Sequence, residues 1–304
     1  MRATSKRDTS VDWTEAVESF LQDSDFAPST RATYRRALAA FCEWYVGTYN
    51  EEPEPELVNE EDARDWRSYL SGVRNLSASA VNLHLAALRG LARSCDNSLE
   101  VKGVKQVQKP VETLTGHERG RLIRALKGAR WIDKRNVAIV SLMVRAGLRV
   151  SEVLDLSPKD VTINERSESV LVHRGKGRKE RAVPLSLQVR KELAAYLKER
   201  QRKWGKRPDA RLFLTKTGGA LSSRTVQRMV EAAAQQARID KEITPHTLRH
   251  TFSFRFLEKQ TGDGKSAAAA LAVLQKILGH KNISTTSRYL HPDAAQMQEM
   301  VEEM

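Results

Sequence analysis

The chain has 304 residues, 40% of them hydrophobic, and carries 51 Lys and Arg against 38 Asp and Glu for a net charge of +13. That length accommodates two domains with cores of their own. No apolar run approaches a membrane span, and the stretch from Met1 to Ser10 is polar with no apolar signal region, so no membrane association is expected and the protein should be intracellular.

The charge is unevenly divided. Residues 1–110 hold 14 basic against 17 acidic residues, a balance of −3, whereas residues 111–304 hold 37 against 21, a balance of +16. A surplus confined to one part of the chain suits a polyanionic partner, of which nucleic acid is the commonest, although a basic protein with a solvated surface gives the same count.

In chain order, Val11 to Leu21, Ser29 to Tyr45, Asn59 to Leu70 and Ser79 to Arg93 place apolar residues at intervals of three and four, which predicts four helices. Pro53 and Pro55 interrupt the middle. The polar face of the second helix offers Arg31, Arg35 and Arg36 beside Tyr34, and in the fourth Asn82, His84 and Arg89 interleave with leucines. Such faces read either as phosphate contacts or as ordinary solvated surface. Cys42 and Cys95 fall in different helices without metal-ligand spacing and are expected to pack as small apolar residues. From Asn97 to Val111 the helical period stops, which reads as a linker.

Thr115 and Glu118 match a capping box ahead of an apolar-periodic run. Val137 to Ala146 is almost wholly apolar and predicts a buried helix. Gly147 breaks it, so that Arg149 emerges at a bend with its stem packed and its head in a cavity, facing Glu152, a phosphate or both. Two alternating runs, Ser169 to His173 and Ala182 to Leu185, flank Gly175-Lys176-Gly177-Arg178 and predict a hairpin with a lysine at its turn. Thr244-Pro245 is a helix start, and the helix that follows places His246, Arg249 and His250 on one face. A cation, two imidazoles and the later phenol of Tyr289 suit a negatively charged group attacked by tyrosine; by spacing alone, a buried histidine pair satisfying its own hydrogen bonds looks the same.

Ala146-Gly147-Leu148-Arg149-Val150-Ser151-Glu152, the Gly175–Leu185 hairpin, Thr244-Pro245-His246-Thr247-Leu248-Arg249-His250, Leu278-Gly279-His280 and Ser287-Arg288-Tyr289, in that order, closely resemble the tyrosine recombinase (phage integrase) family. The resemblance covers Thr113 to Pro292 strongly and Val11 to Arg93 more weakly. It implies a mainly α fold: an N-terminal helical-bundle (SAM-like) DNA-binding domain over residues 1–96, a linker over 97–111, and a mixed α+β catalytic domain with a small antiparallel sheet or hairpin over 112–304. It further implies Arg149, Lys176, His246, Arg249, His280 and Tyr289 as the catalytic set, with Glu152 as an accessory acid. DNA contacts are expected at Arg31, Arg35, Arg36, Asn82, His84, Arg89, Arg174, Arg178, Lys179 and Arg181.

The activity implied is site-specific DNA recombination through a 3′-phosphotyrosyl intermediate and a Holliday junction, needing no metal and no cofactor. The implied partners are double-stranded DNA with an inverted-repeat site, a homotetramer joined through a C-terminal helix at His291 to Met304, and accessory DNA-bending proteins; the implied location is cytoplasmic, at the nucleoid. One departure from the family pattern is Gly262 to Ala270, an insertion of roughly eight residues that reads as a glycine turn followed by a helix extension.

Overall fold

The computed structural model describes residues 12–105, 112–163, 168–173, 180–206 and 210–279. The chain divides into two compact units, Met1–Lys109 and Pro110–Met304. The architecture is mainly helical with one small antiparallel sheet, in line with the expected fold class. Among the described residues, no helix is long and apolar enough to cross a membrane.

In the first unit, α1 (Trp13–Asp23), α2 (Pro28–Tyr49), α3 (Glu60–Gly72) and α4 (Ala78–Ser94) lie where the periodicity places them. Their starts are chemically marked: Asp12 accepts from the N–H groups of Thr14 and Glu15, Asn59 and Asp62 form a reciprocal capping box, and the Ser77 hydroxyl accepts from Ala80. Leu21, Leu38, Phe41, Trp66, Leu85 and Leu88 fill the core, with Phe41 edge-on to Trp66 at 5.7 Å between ring centroids. Burial of each such side chain stabilises the unit by about 1.5–3 kcal/mol.

The expected linker begins packed rather than free. Leu99 and Val101 are buried in this same core, and Asn97 Nδ2 donates to the carbonyls of Pro55 and Val58. Residues 97–105 have no regular secondary structure, so no helical period announces this seat. Cys42 and Cys95 are half-buried free thiols.

The second unit is organised around a buried helix. It contains α5 (Gly116–Leu126), α6 (Trp131–Ala146), α7 (Val150–Asp155), β1 (Val161–Ile163), β2 (Glu168–Val172), β3 (Arg181–Pro184), α8 (Leu187–Trp204), α9 (Ser223–Gln236), α10 (Pro245–Gly262) and α11 (Ala267–Leu278). The Thr115–Glu118 capping box is present at α5. Along α6, Val137 to Val144 are all buried, and the helix packs against α5, α8 and α10.

The strands run in the order β1-β2-β3, each pair antiparallel, with Val170 opposite Val183 and Leu171 opposite Ala182. The turn between β2 and β3, with Arg174, Lys176, Arg178 and Lys179, lies outside the described residues. The inserted stretch forms the expected turn and helix: Gly264 takes φ 78°, and the Ser266 hydroxyl caps α11 by accepting from Ala269. His280, Tyr289 and the tail His291 to Met304 also lie outside the described residues.

Candidate active site

The site begins at the end of α6. Gly147 adopts φ 72°, and a Cβ there would lie 2.4 Å from Phe252 Cδ1, so neither the backbone conformation nor the packing admits a side chain. The chain turns through fully buried Leu148 and reaches Arg149, the residue that caps α7. Glu152, three residues on, folds back: Oε2 accepts the Arg149 N–H at 2.8 Å and Oε1 accepts Arg149 Nη1 at 2.9 Å. A carboxylate at a helix N-terminus is also favoured by the helix dipole.

Helix α10 supplies Arg249. The Thr244 hydroxyl accepts from the Thr247 N–H, and Pro245 occupies the first turn, so the helix starts where the sequence places it. Arg249 is buried at 4% exposure; its Nη1 donates to Gly147 O at 2.5 Å and its Nη2 to Leu278 O at 2.9 Å. The same Nη1 lies 3.6 Å from Glu152 Oε2.

Arg149 Nη1 makes a longer bond of 3.3 Å to Leu278 O. Both arginines therefore meet the C-terminal end of α11, where carbonyls without intrahelical partners and the negative end of the dipole attract cations. Gly279, at φ 66°, ends that helix.

A third guanidinium completes the network. Arg181 Nη2 donates to Glu152 Oε2 at 2.8 Å, and its Nε donates to Ile277 O at 2.7 Å. Burial opposes ionisation of Glu152, but the Arg181 hydrogen bond, the Arg149 N–H and the charges of both guanidiniums outweigh it and hold the carboxyl below its usual range. Within the network one carboxylate thus faces three permanently charged guanidiniums, an excess of two positive charges. The side chains of Arg181 and Arg249 are 11% and 5% exposed, whereas Arg149 keeps 35%. Arg149 is the member placed to meet an anion from solvent.

Of the predicted set, the structure brings Arg149, Glu152 and Arg249 together. His246 is exposed on α10, and His250 is half-buried with its ring centroid 6.4 Å from that of His246. Lys176, His280 and Tyr289 lie outside the described residues. The network extends to carbonyls of Gly147, Ile277 and Leu278 that no side-chain pattern announces, and to Arg181, whose alternation with buried Val183 along β3 is the signal that it faces inward.

Four of the residues expected to contact DNA have partners within the chain. Arg181 belongs to the buried network. Asn82 pairs in both directions with Val104, donating from Nδ2 at 2.9 Å and accepting the amide at 2.7 Å. Arg89 donates to the carbonyls of Leu85 and Val101. His84 sits edge-on to Trp66 at 5.6 Å, and burial holds its imidazole below the usual pKa, against a backbone hydrogen bond at Ala37. These α4 side chains face the core and the 97–105 segment. On α2, Arg31 donates to Ser24 O and Arg35 makes a two-pronged bond with Glu18, while Arg36 stays exposed and donates to Ala32 O of its own helix. Arg174, Arg178 and Lys179 lie outside the described residues.

Comparison with known proteins places the chain in a family. The profile of the phage integrase family matches residues 112–296, and that of the phage integrase N-terminal SAM-like domain matches residues 13–95. The chain is similar to tyrosine recombinase XerD of Corynebacterium glutamicum, with 30% identity over 285 residues covering 90% of each chain. It is likewise similar to tyrosine recombinase XerC of Methylobacterium sp. (strain 4-46), with 30% identity over 94% of this chain and 92% of that protein.

Among solved structures, XerA recombinase aligns at 26% identity over 96% of this chain and 98% of that one, with a TM-score of 0.54. XerH site-specific recombinase, bound to palindromic difH substrate, aligns at 22% identity over 95% and 84%, with a TM-score of 0.75, and shares the fold. The chain belongs to the phage integrase family and is a tyrosine recombinase.

Proposed function

We propose that the protein recombines DNA at specific sites by cutting and rejoining strands through a phosphotyrosyl link to Tyr289. The observation that carries this reading is the excess of positive charge gathered around Glu152, with Arg149 left accessible. A phosphodiester under attack passes from one negative charge to a more highly charged five-coordinate state, and preorganised guanidiniums stabilise the difference. Tyr289 Oη forms the new P–O bond at the 3′ phosphate. The 5′ oxygen leaves and takes a proton from Lys176, while His246 accepts the tyrosine proton and His280 donates a hydrogen bond to a phosphate oxygen; these four roles follow from the family resemblance.

In this scheme Arg149 binds a non-bridging oxygen in place of its 3.3 Å bond to Leu278 O, and Arg249 fixes the floor of the site. The phosphotyrosyl link conserves the energy of the cleaved bond, so the reverse attack by another strand's 5′ hydroxyl needs no nucleotide. Exchange between two duplexes through a Holliday junction follows, with a homotetramer joined by the C-terminal tail as the assembly; accessory DNA-bending proteins fit this picture. Relatives named XerC and XerD and solved complexes such as XerH with difH support DNA as the substrate.

The test mixes wild type and Tyr289→Phe with nicked duplex fragments of the native locus in EDTA, denatures in detergent and sequences the attached DNA. Adducts with wild type alone are expected. Binding without any adduct would leave a DNA-binding protein in place of a recombinase.

A further inference from the structure

Arg181 opens β3, the strand that returns from the lysine hairpin, yet its guanidinium spans two other parts of the fold. One edge holds Glu152 at the start of α7, and Nε caps the last turn of α11 at Ile277 O. Its Nη1 is buried with no hydrogen-bond partner among the described residues, so the group is held by these two contacts rather than by solvent. Glu152 Oε2 is otherwise served by the Arg149 N–H and by Arg249 at 3.6 Å, beyond hydrogen-bond length. Without Arg181, a buried carboxylate would keep Arg149 as its one close cationic partner and draw that guanidinium inward, away from an incoming anion.

We propose that Arg181 is a positioning residue of the strand-transfer site: by sharing Glu152 with Arg149 and capping α11, it leaves the Arg149 guanidinium available to the phosphate and fixes the point from which the chain leaves α11. The inference rests on the phosphotyrosyl reading for its catalytic consequence. Its structural half does not. The charged groups facing Glu152 among the described residues are Arg149 on α7, Arg181 on β3 and Arg249 on α10, with the α11 carbonyls beside them. Removal of Arg181 deletes the contact that contributes most to keeping Glu152 ionised against burial.

The experiment compares full-length wild type, Arg181→Met and Arg181→Lys. In the free proteins, hydrogen exchange is read at the last turn of α11. The methionine variant should exchange there about tenfold faster, the equivalent of a lost charge-assisted hydrogen bond. The lysine variant should also exchange fast, because an ammonium cannot span Glu152 and Ile277 O together.

Cleavage is then followed from pH 5 to 8 on a nicked duplex carrying the site recovered by trapping. The methionine variant should lose about 10²-fold in rate, as for a misplaced reacting group, at unchanged DNA affinity, with its acid limb moved to higher pH. Arg181→Lys should restore the limb. Wild-type exchange at α11 in both variants would overturn the proposal, as would a rate loss matched by an equal loss of affinity, which would make Arg181 a DNA contact. If wild type itself forms no adduct, the phosphotyrosyl reading fails, and the exchange measurement still decides whether Arg181 couples the three segments. Should Arg181→Met not fold, the lysine variant carries the same exchange comparison.

Discussion

At the scale of single residues, a buried cation is informative because of what it cannot do. Arg249 cannot shed its proton, so it must be satisfied in place, and the carbonyls of Gly147 and Leu278 together with Glu152 accomplish that. Arg249→Ala should therefore fail twice: strand cleavage should fall by about 10²–10³, and stability should fall by on the order of 3 kcal/mol, as acceptors lose a charged donor. Cleavage kinetics and urea unfolding read the two losses separately.

His173 offers a second residue-level expectation. It bridges Asp160 at 2.7 Å and Glu180 at 2.8 Å, and these hydrogen bonds raise its pKa above the ordinary value. A raised folded pKa contributes stability that is complete below the unfolded value of about 6.5 and is lost as pH rises through the folded value. The urea midpoint of the C-terminal unit should thus decline with rising pH above that point, and His173→Gln should flatten this part of the curve.

That Arg149, Glu152 and Arg249 come together was expected from the family resemblance that their motifs carry, where spacing alone left a structural pairing equally open. The surroundings of Asn82, His84 and Arg89 were not legible, since a polar residue on a helix gives the same pattern whether it faces water or a distant stretch of its own chain.

At the scale of elements, the position of Arg149 is set by how α6 ends. The left-handed Gly147 turn and the close approach of Phe252 make Gly147→Ala costly, roughly 2 kcal/mol or more from backbone strain and overpacking. The same change should slow cleavage, because Gly147 O is also an acceptor for Arg249. A thermal melt and a cleavage assay on one preparation measure both.

In the N-terminal unit, α4 holds the 97–105 segment through Asn82. Asn82→Ala should cost about 1–3 kcal/mol through two lost hydrogen bonds and leave Val104 with unmet backbone groups. Its DNA affinity should stay as in wild type; weaker binding at equal stability would support the phosphate-contact reading. The four N-terminal helices and the β2–β3 pairing could be read from periodicity alone. Helix α8 is harder to read from periodicity: its apolar seam is the sparse set Val189, Leu193 and Tyr196 within a run rich in charge. The seating of 97–105 was also hidden, because two apolar residues in a non-helical stretch do not announce a partner.

At the scale of the whole molecule, the charge division becomes intelligible once the site is known. The basic surplus belongs to the part of the chain that holds Arg149, Arg181 and Arg249, whereas the first part carries a slight acidic balance. A polyanionic partner was thus suggested by charge before any motif, beside the alternative of a solvated basic surface, but the arrangement of the arginines around Glu152 was not. It depends on carbonyls at the ends of α6 and α11 that only folding brings together.

The claim that joins these scales is that Tyr289 attacks the phosphate that Arg149 receives. The most direct measurement is to trap the covalent complex, digest its DNA to a short remnant, cleave the protein with trypsin and map the modified peptide by mass spectrometry. We expect a 3′-linked nucleotide on the peptide that begins at Tyr289, after cleavage at Arg288, and none from Tyr289→Phe. A nucleotide on any other residue, or an adduct that survives in Tyr289→Phe, would contradict the account.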